Sequence, residues 1–247
     1  MDTARIAVLL EPFLEPSLPS SQLDQISIYI DLLLRWNARI NLTAIRHPEE
    51  IVTRHFGESF FLARHLFPIP CHPERSRAES EAIGSAESKD PYSASSPAPP
   101  QGVLTSPHNP PRVLDIGSGA GFPALPLKLW APHIHLTLIE SNHKKAAFLR
   151  EVARALTLTN INVIAARAET LSARLGPHAD VVTLRAVERF ETILPQAVTF
   201  LAPNATLALL IGAAQVPHLT TLTTLKWHPP IPVPQSHTRV LSFGVRK

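Results

Sequence analysis

The sequence contains almost no cysteine and no long apolar run. Cys71 is the single cysteine among 247 residues, which excludes an intrachain disulfide and argues against a zinc site built from thiolates. No apolar stretch approaches the roughly 18 residues that a membrane-spanning helix needs. The first residues also lack the basic start and apolar stretch of a signal peptide. From these absences we expect a cytoplasmic protein without membrane association.

The residue groupings that mark hydrolytic or metal-dependent catalysis are also missing. The 12 histidines are scattered along the chain, and no Ser-His-Asp order, metal-ligand cluster or carboxylate pair stands out. We therefore expect no bound metal. The formal net charge is +3, a modest basic bias that favours an anionic partner.

One segment differs in composition from the rest of the chain. Residues 68–111 hold ten of the 25 prolines and eight serines, with almost no apolar periodicity. Such a composition cannot bury enough surface to offset its chain entropy. It predicts a disordered insertion between an N-terminal helical extension, residues 1–67, and a core of residues 112–247.

Apolar spacing predicts helices before the insertion and alternating strands and helices after it. A helix is predicted to follow a capping box at Ser21 and Asp24, and Pro48 suits the first position of another. Strands are predicted over residues 112–116, 135–140, 161–165, 180–186, 205–211, 222–227 and 239–246. Repeated βαβ units indicate a mostly parallel, seven-stranded Rossmann-like sheet with helices on both faces.

The stretch VLDIGSGAGFPALPLK, residues 113–128, places a glycine-rich loop directly after the first predicted strand. Gly117, Gly119 and Gly121 permit positive φ and a close approach of the backbone to a ligand. Ligands of open α/β sheets bind beyond the carboxyl ends of the strands. We therefore expect a nucleotide-like ligand at this loop.

A dinucleotide or a phosphate fits this loop poorly. Bulky Phe122 stands where the dinucleotide fingerprint has a small residue, and no Lys-Ser or Lys-Thr pair follows the glycines. Asp115 favours a cationic ligand instead, and S-adenosylmethionine carries both an ammonium and a sulfonium. Glu140, at the end of the second strand, is the candidate acceptor for the two ribose hydroxyls. The same residues disfavour an NAD-dependent oxidoreductase.

Several motifs resemble those of one family, in the same order along the chain. WNARINLTAI (residues 36–45) is similar to a W-N-x-x-x-N-L-T-A-I signature, and IVTRHFGESF (51–60) to an I-x-x-x-H-x-x-D-S segment. DIGSGAGFPALPLK (115–128) closely matches the glycine loop of that family, and ESNHKKAAFL, AARAE and LRAV follow in order. The chain thus resembles the RsmG (GidB) family, guanine-N7 methyltransferases of bacterial small-subunit ribosomal RNA.

The resemblance implies a class I S-adenosylmethionine-dependent methyltransferase fold with an N-terminal helical addition. It implies methyl transfer from S-adenosylmethionine to N7 of a guanine in 16S ribosomal RNA. The substrate would be the free RNA or the small ribosomal subunit. Nothing in the sequence indicates an obligate dimer, so we expect a monomer. The family's donor contacts carry over onto Gly117, Phe122, Ala168, Glu169 and Arg185. We expect Arg185 at the mouth of the site, close to the reacting centre.

Basic and aromatic residues near the first signature are candidates for holding the RNA. Unpaired bases stack on aromatic or arginine planes, and a guanine flipped into a pocket would use such surfaces. We expect a basic lip formed by Arg35, Trp36, Asn37, Arg39 and Arg46.

Two other functions stay open from the residues alone. A small-molecule methyltransferase would share the donor loop, although the basic N-terminal linker argues against it. A non-catalytic RNA- or ribosome-binding module that retains the donor pocket is kept open by Ile211 and by the insertion. The chain departs from the family pattern at four positions. Ala124 replaces a glycine, Glu58 an aspartate, Leu184 a serine and Ile211 a lysine.

Overall fold

The computed structural model describes residues 1–15, 17–68, 110–185 and 190–247. The N-terminal part is helical, and none of the helices in the described ranges is long and apolar enough to cross a membrane. A π-helical turn (Val52–Gly57) joins the third helix to the fourth. The helices are α1 (Thr3–Leu10), α2 (Ser20–Asn37), α3 (Pro48–Ile51) and α4 (Glu58–Leu66). The insertion predicted for residues 68–111 lies almost entirely outside the described residues.

Strands and helices alternate through the rest of the described chain. Their bounds are β1 (Arg112–Ile116), α5 (Ala124–Trp130), β2 (His135–Ile139), α6 (His143–Ala155), β3 (Ile161–Ile164), α7 (Ala168–Leu175), β4 (Ala179–Arg185), α8 (Phe190–Thr199), β5 (Leu201–Gly212), α9 (Val216–Leu219), β6 (Leu225–Trp227), β7 (Ile231–Pro232) and β8 (Arg239–Arg246).

These strands form one sheet in the order β3-β2-β1-β4-β5-β8-β6, with the short β7 paired to β8. Strands β1 to β5 run parallel to one another, whereas β8 is antiparallel to both β5 and β6. The carboxyl ends of β1, β2, β4 and β5 therefore lie at one edge of the sheet, which is where open α/β sheets bind their ligands.

The sheet has a hydrophobic core on each face. The N-terminal helices pack with α5 and α6 on one face, in a cluster that includes the fully buried residues Tyr29, Phe56 and Phe148. Helices α7, α8 and α9 cover the other face around residues such as Val182 and Phe200. The N-terminal helices thus share a continuous core with the sheet, so they form one of its covering layers.

Most predicted elements are confirmed, with three corrections. The bounds of β1 and β8 match the prediction, whereas α1, α7 and α9 are not predicted at all. The sheet has eight strands in the described chain and not seven, because β7 forms inside a proline-rich loop without strand periodicity. The capping box at Ser21 and Asp24 is wrong, since α2 begins at Ser20 after Pro19, with no side-chain cap.

Lys128 is a buried cation that connects the end of α5 to the turn before β2. Its side chain is only 2% exposed, and its ammonium donates to the carbonyl oxygens of Pro132 at 2.6 Å and Ile134 at 2.5 Å. Burial lowers the pKa of Lys128. The two carbonyls satisfy the ammonium in an apolar setting, which orders the turn between α5 and β2.

Replacing Lys128 with Ala should destabilise the protein by about 3 kcal/mol. Each buried methylene of the side chain contributes about 0.8 kcal/mol, and the two carbonyls would lose their donor. Urea denaturation monitored by circular dichroism measures the change. Lys144→Ala, which removes an exposed lysine, is the matched control and should stay within about 0.5 kcal/mol of wild type. Equal stability of the two variants would contradict the structural role of Lys128.

Candidate functional site

The glycine-rich loop turns sharply after β1 and is held against the end of β2. Gly117, Gly119 and Gly121 have φ values of +70°, +53° and +87°, a region that residues with side chains rarely adopt. The amides of Gly117 and Ser118 both donate to the carbonyl oxygen of Ile139, at 2.9 and 3.1 Å. The loop backbone therefore lies beside the carboxyl end of β2.

Glu140 joins the loop to the start of α6. One carboxylate oxygen accepts from the amide of Gly119 at 2.8 Å and the other from the amide of Asn142 at 2.7 Å. Asn142 in turn caps α6 with its side chain. A carboxylate oxygen can accept more than one hydrogen bond, so Glu140, which is 6% exposed, can hold the loop and still accept ribose hydroxyls.

The N-terminal layer holds the other side of the loop through Tyr29. The hydroxyl of this buried residue donates to the carbonyl oxygen of Ala120 at 2.5 Å. A Cβ at Gly121 would overlap the Tyr29 hydroxyl and lie 2.6 Å from a Leu125 methyl group. Packing against α2 therefore requires glycine at position 121, and the part of Gly121 in ligand binding stays a prediction.

Phe122 is part of an aromatic stack inside the protein. Its ring lies parallel to Tyr29, with centroids 5.2 Å apart, and to His55, with centroids 4.6 Å apart. The side chain is 7% exposed. The ring of Phe122 thus holds the loop against the helical layer, and a contact between Phe122 and a donor ligand stays a prediction.

His55 is neutral in this stack. Its Nε2 lies 2.8 Å from the hydroxyl of Thr43, and burial, together with three arginines nearby, lowers its pKa to about 2. Because protonation would place a second positive charge beside Arg185, the ring serves packing and hydrogen bonding at physiological pH. No signal in the sequence singles out His55, although it lies within the IVTRHFGESF motif.

Asp115 presents a buried carboxyl group at the end of β1. It is 1% exposed, and Oδ1 accepts from the Thr183 hydroxyl at 2.6 Å. Oδ2 has no hydrogen-bond partner among the described residues. Burial raises the pKa of Asp115 to about 7, against the opposing effect of the Thr183 and Ser118 hydrogen bonds, and Glu140 adds to the rise. Asp115 therefore offers an unused acceptor whose charge changes near neutral pH.

Arg185 lies deeper than the sequence predicts. We expected it at the mouth of the site, but its side chain is only 6% exposed and pairs with Glu58 of α4 at 3.0 Å. It also donates to the backbone carbonyl of Arg54, while Nη1 has no partner within the described part of the chain. Burial lowers the pKa of Arg185 to about 10, so it remains a cation.

Ala168 and Glu169 open α7 just beyond the end of β3. Ala168 is buried and Glu169 is exposed. Arg167, at the cap position, makes no side-chain hydrogen bond to the helix start. The first amides of a helix have no intrahelical partner, so this turn can donate to a ligand at the same edge of the sheet.

The residues of the expected basic lip lie in different environments. Arg35, Arg39 and Arg46 are exposed. Trp36, in contrast, donates through its indole to Glu151 at 3.1 Å and packs edge-on against Phe148.

Asn37 is also corrected from a surface role to a structural one. It is 6% exposed, and its amide group bonds the backbone of Leu42 and Thr43 at 2.8 to 3.1 Å. Asn37 therefore shapes the turn that follows α2, and the arginines alone remain as candidates for contacting an anionic partner.

Three departures from the family pattern lie in the hydrophobic core. Ala124 is fully buried at the start of α5, and Leu184 and Ile211 are 1% and 3% exposed within β4 and β5. Leu184 and Ile211 belong to the core on the face of the sheet opposite the N-terminal helices. Their side chains therefore lie on the other side of the sheet from the Arg185–Glu58 pair.

The strand order, with one antiparallel strand next to the edge, and the glycine loop define a class I S-adenosylmethionine-dependent methyltransferase fold. The family model of rRNA small subunit methyltransferase G (GidB) matches residues 22–69 and 101–225, more than half of the chain. The chain belongs to this family.

Relatives that carry the family's name agree with this assignment. The chain is 37% identical to Ribosomal RNA small subunit methyltransferase G of Roseiflexus castenholzii, over 72% of this chain and 59% of that protein. It is 33% identical to the protein of that name in Xylella fastidiosa, over 81% of this chain and 76% of that protein. A SAM dependent methyltransferase from Aquifex aeolicus is 16% identical over 56% of this chain and 73% of that chain, with a TM-score of 0.47. The chain covers only 59% of the length of the Roseiflexus castenholzii relative and 61% of the length of the Chloroflexus aggregans relative.

Alanine at Gly121 and at Gly119 should have different effects. Gly121→Ala should cost about 3 kcal/mol of stability, because the new Cβ overlaps Tyr29 and Leu125 and φ is +87°. Gly119→Ala should cost only about 1 kcal/mol, because the nearest atom to its Cβ is the Gly117 carbonyl oxygen at 3.7 Å. Urea denaturation of both variants measures this difference, and equal losses would show that α2 does not restrict the loop.

Proposed function

We propose that this protein transfers a methyl group from S-adenosylmethionine to N7 of a guanine in 16S ribosomal RNA. The observation that carries the proposal is the family match, whose two segments contain Asp115, the glycine loop and Arg185. Its substrate is then the ribosomal RNA, free or within the small subunit. We further propose that it acts as a monomer in the cytoplasm.

The buried polar groups fit the amino-acid part of the donor. Asp115 Oδ2 and Arg185 Nη1 are both buried and lack a partner among the described residues, and they are of opposite character, one an acceptor and one a donor. A zwitterion with an ammonium and a carboxylate would satisfy both groups. Since a buried polar atom without a partner costs about 1–3 kcal/mol, such a ligand accounts for two orphaned groups at once.

The rest of the donor fits the neighbouring strand ends. Glu140 can accept the ribose hydroxyls with its remaining lone pairs. The first turn of α7, at Ala168 and Glu169, can donate backbone amides to the adenine edge. A Cβ at Gly119 would meet only the Gly117 carbonyl oxygen, at 3.7 Å, which leaves room for a ligand against the loop.

The chemistry requires positioning and shielding but no general base. When bound, S-adenosylmethionine supplies a methyl group activated by its sulfonium. N7 of guanine carries an in-plane lone pair, so the methyl–sulfur bond breaks as the methyl–nitrogen bond forms. The positive charge passes to the base, and no proton moves. The protein residues therefore act by aligning the two reactants and excluding water.

The exposed arginines near the end of α2 are the proposed RNA contacts. Arg35, Arg39 and Arg46 are exposed and precede the helices that carry His55 and Glu58. Phosphate contacts of this kind give salt-dependent affinity with little sequence preference. Recognition of one guanine would then come from the pocket into which the base is turned.

Donor binding should strengthen as the pH rises through about 7. The folded pKa of Asp115 is raised to about 7, so the carboxyl is neutral at pH 6 and ionised at pH 8, where it can pair with an ammonium. Calorimetry with S-adenosylhomocysteine should give about tenfold higher affinity at pH 8 than at pH 6. Asp115→Asn should bind about tenfold more weakly at pH 8 and show no such dependence.

The contribution of Asp115 to the stability of the unliganded protein should fall as the pH rises, whereas donor binding should strengthen. Because the folded pKa lies above the unfolded value, the folded state binds more protons between about pH 4 and pH 7. The contribution of Asp115 to the free energy of unfolding is therefore lost as the pH rises through 7. Wild type and Asp115→Asn compared by urea denaturation at pH 5 and pH 8 provide the check, and an unchanged difference between them would contradict the shifted pKa.

Transfer of labelled methyl from S-adenosylmethionine tests the function itself. The acceptors are unmethylated small-subunit particles and deproteinised small-subunit RNA, with Gly117→Arg as the inactive control. The expected result is 7-methylguanine at one site, absent in the control. Donor binding by calorimetry without label on either acceptor would contradict the catalytic role and support a binding module. Label on a small molecule alone would contradict the RNA substrate.

A further inference from the structure

Two arginines from different strands converge on one carboxylate oxygen. Arg185 ends β4 and Arg239 begins β8, with β5 between them in the sheet. Glu58 of α4 reaches over the end of β5, and its Oε2 lies 3.0 Å from Arg185 Nη2 and 3.1 Å from Arg239 Nε. The three side chains thus connect the N-terminal layer to two strands at the ligand-binding edge of the sheet.

This cluster carries more positive than negative charge. Glu58 is 3% exposed and offers one negative charge to two guanidinium groups. Arg54, close by, is already paired with Glu50 at 2.8 Å, and His55 is neutral. Asp115 is the acid beyond the cluster that acts on Arg185, but it forms no ion pair with either arginine in the described chain. A buried excess of charge is costly unless a ligand compensates it.

The arginines also have unused hydrogen-bonding capacity. Arg185 Nη1 and Arg239 Nε are buried and have no hydrogen-bond partner among the described residues, since Arg239 Nε is close to Glu58 but not aligned with it. The Arg239 side chain is 21% exposed, compared with 6% for Arg185. The cluster therefore extends from the buried donor site toward the surface.

We propose that Arg239 is a second ligand-binding cation of this site, which holds an oxyanion together with Arg185, and that Glu58 is the positioning residue for both. The inference rests on the proposed function, which offers two oxyanions of this chemistry, the carboxylate of the methyl donor and a phosphate of the RNA. Arg239 lies outside the segments matched by the family model, residues 22–69 and 101–225, so the family match does not assign it.

The test is Arg239→Gln, measured by binding so that it does not depend on turnover. The probes are S-adenosylhomocysteine, 5′-methylthioadenosine, which lacks the carboxylate, and unmethylated small-subunit RNA at several salt concentrations. If the oxyanion is the donor carboxylate, affinity for S-adenosylhomocysteine falls about tenfold and that for 5′-methylthioadenosine is unchanged. If it is a phosphate, RNA binding weakens and its salt slope falls by about 0.7 to 1.

Matched variants separate ligand binding from folding. Arg174→Gln removes an exposed arginine from the last turn of α7, at the opposite edge of the sheet, and should change none of these affinities. Arg239→Lys keeps the charge and should retain part of the binding. Glu58→Gln should weaken the same ligand as Arg239→Gln, and Glu58→Asp should restore part of it. Thermal unfolding of each variant identifies any that do not fold, and Arg239→Gln leaves Glu58 its partner Arg185.

The outcomes also distinguish this inference from the proposed function. If wild type binds both ligands and Arg239→Gln binds them equally well, the inference is overturned and the function is unaffected. If wild type binds but does not transfer methyl, the catalytic function fails while the binding series still decides the role of Arg239. If wild type binds neither ligand, both are overturned.

Discussion

The hydrogen bond from the Tyr29 hydroxyl to the Ala120 carbonyl connects the two layers of the protein at its glycine-rich loop. The loop backbone is otherwise held from the sheet side, by Glu140 and by the carbonyl of Ile139. A loop with three glycines gains much conformational entropy when released, so contacts on both sides are needed to keep its amides aligned. The N-terminal helices therefore help to shape the loop of the candidate donor site.

The same layer supplies the carboxylate that lies between the two arginines of the site. Glu58 on α4 is the carboxylate on which Arg185 and Arg239 meet, and the π-helical turn before it places His55 against Phe122. Buried charges in an apolar setting are tolerated only when they are paired or compensated. Docking of the helices thus completes an electrostatic arrangement that the sheet alone lacks.

Local signals in the sequence predict the parts of the fold that depend on neighbouring residues. β1, the glycine loop and the acids at Asp115 and Glu140 follow from apolar runs and turn chemistry, and the structure places them together. The depth of Arg185, the stack on Phe122 and the pairing of Arg239 with Glu58 arise from contacts between residues more than 60 positions apart. The spacing of apolar residues along the chain cannot predict contacts between such distant residues. Trp36 and Asn37 show the same limit, because a polar or aromatic residue in a linker has the same pattern whether it faces water or the core.

The arrangement of the site is explained by the charge that moves in the proposed reaction. The donor arrives with a positive sulfonium and the base leaves with a positive ring, so the net charge of the reactants is constant and only its position changes. A buried site for this chemistry needs fixed dipoles and ions that hold both partners without taking a proton. Asp115 and the arginine cluster provide one acceptor and a surplus of donors, and the neutral His55 adds no further charge. Such preorganised groups need little rearrangement during transfer, which is why rigid anchoring of the loop and of Arg185 matters more here than the presence of a titrating catalyst.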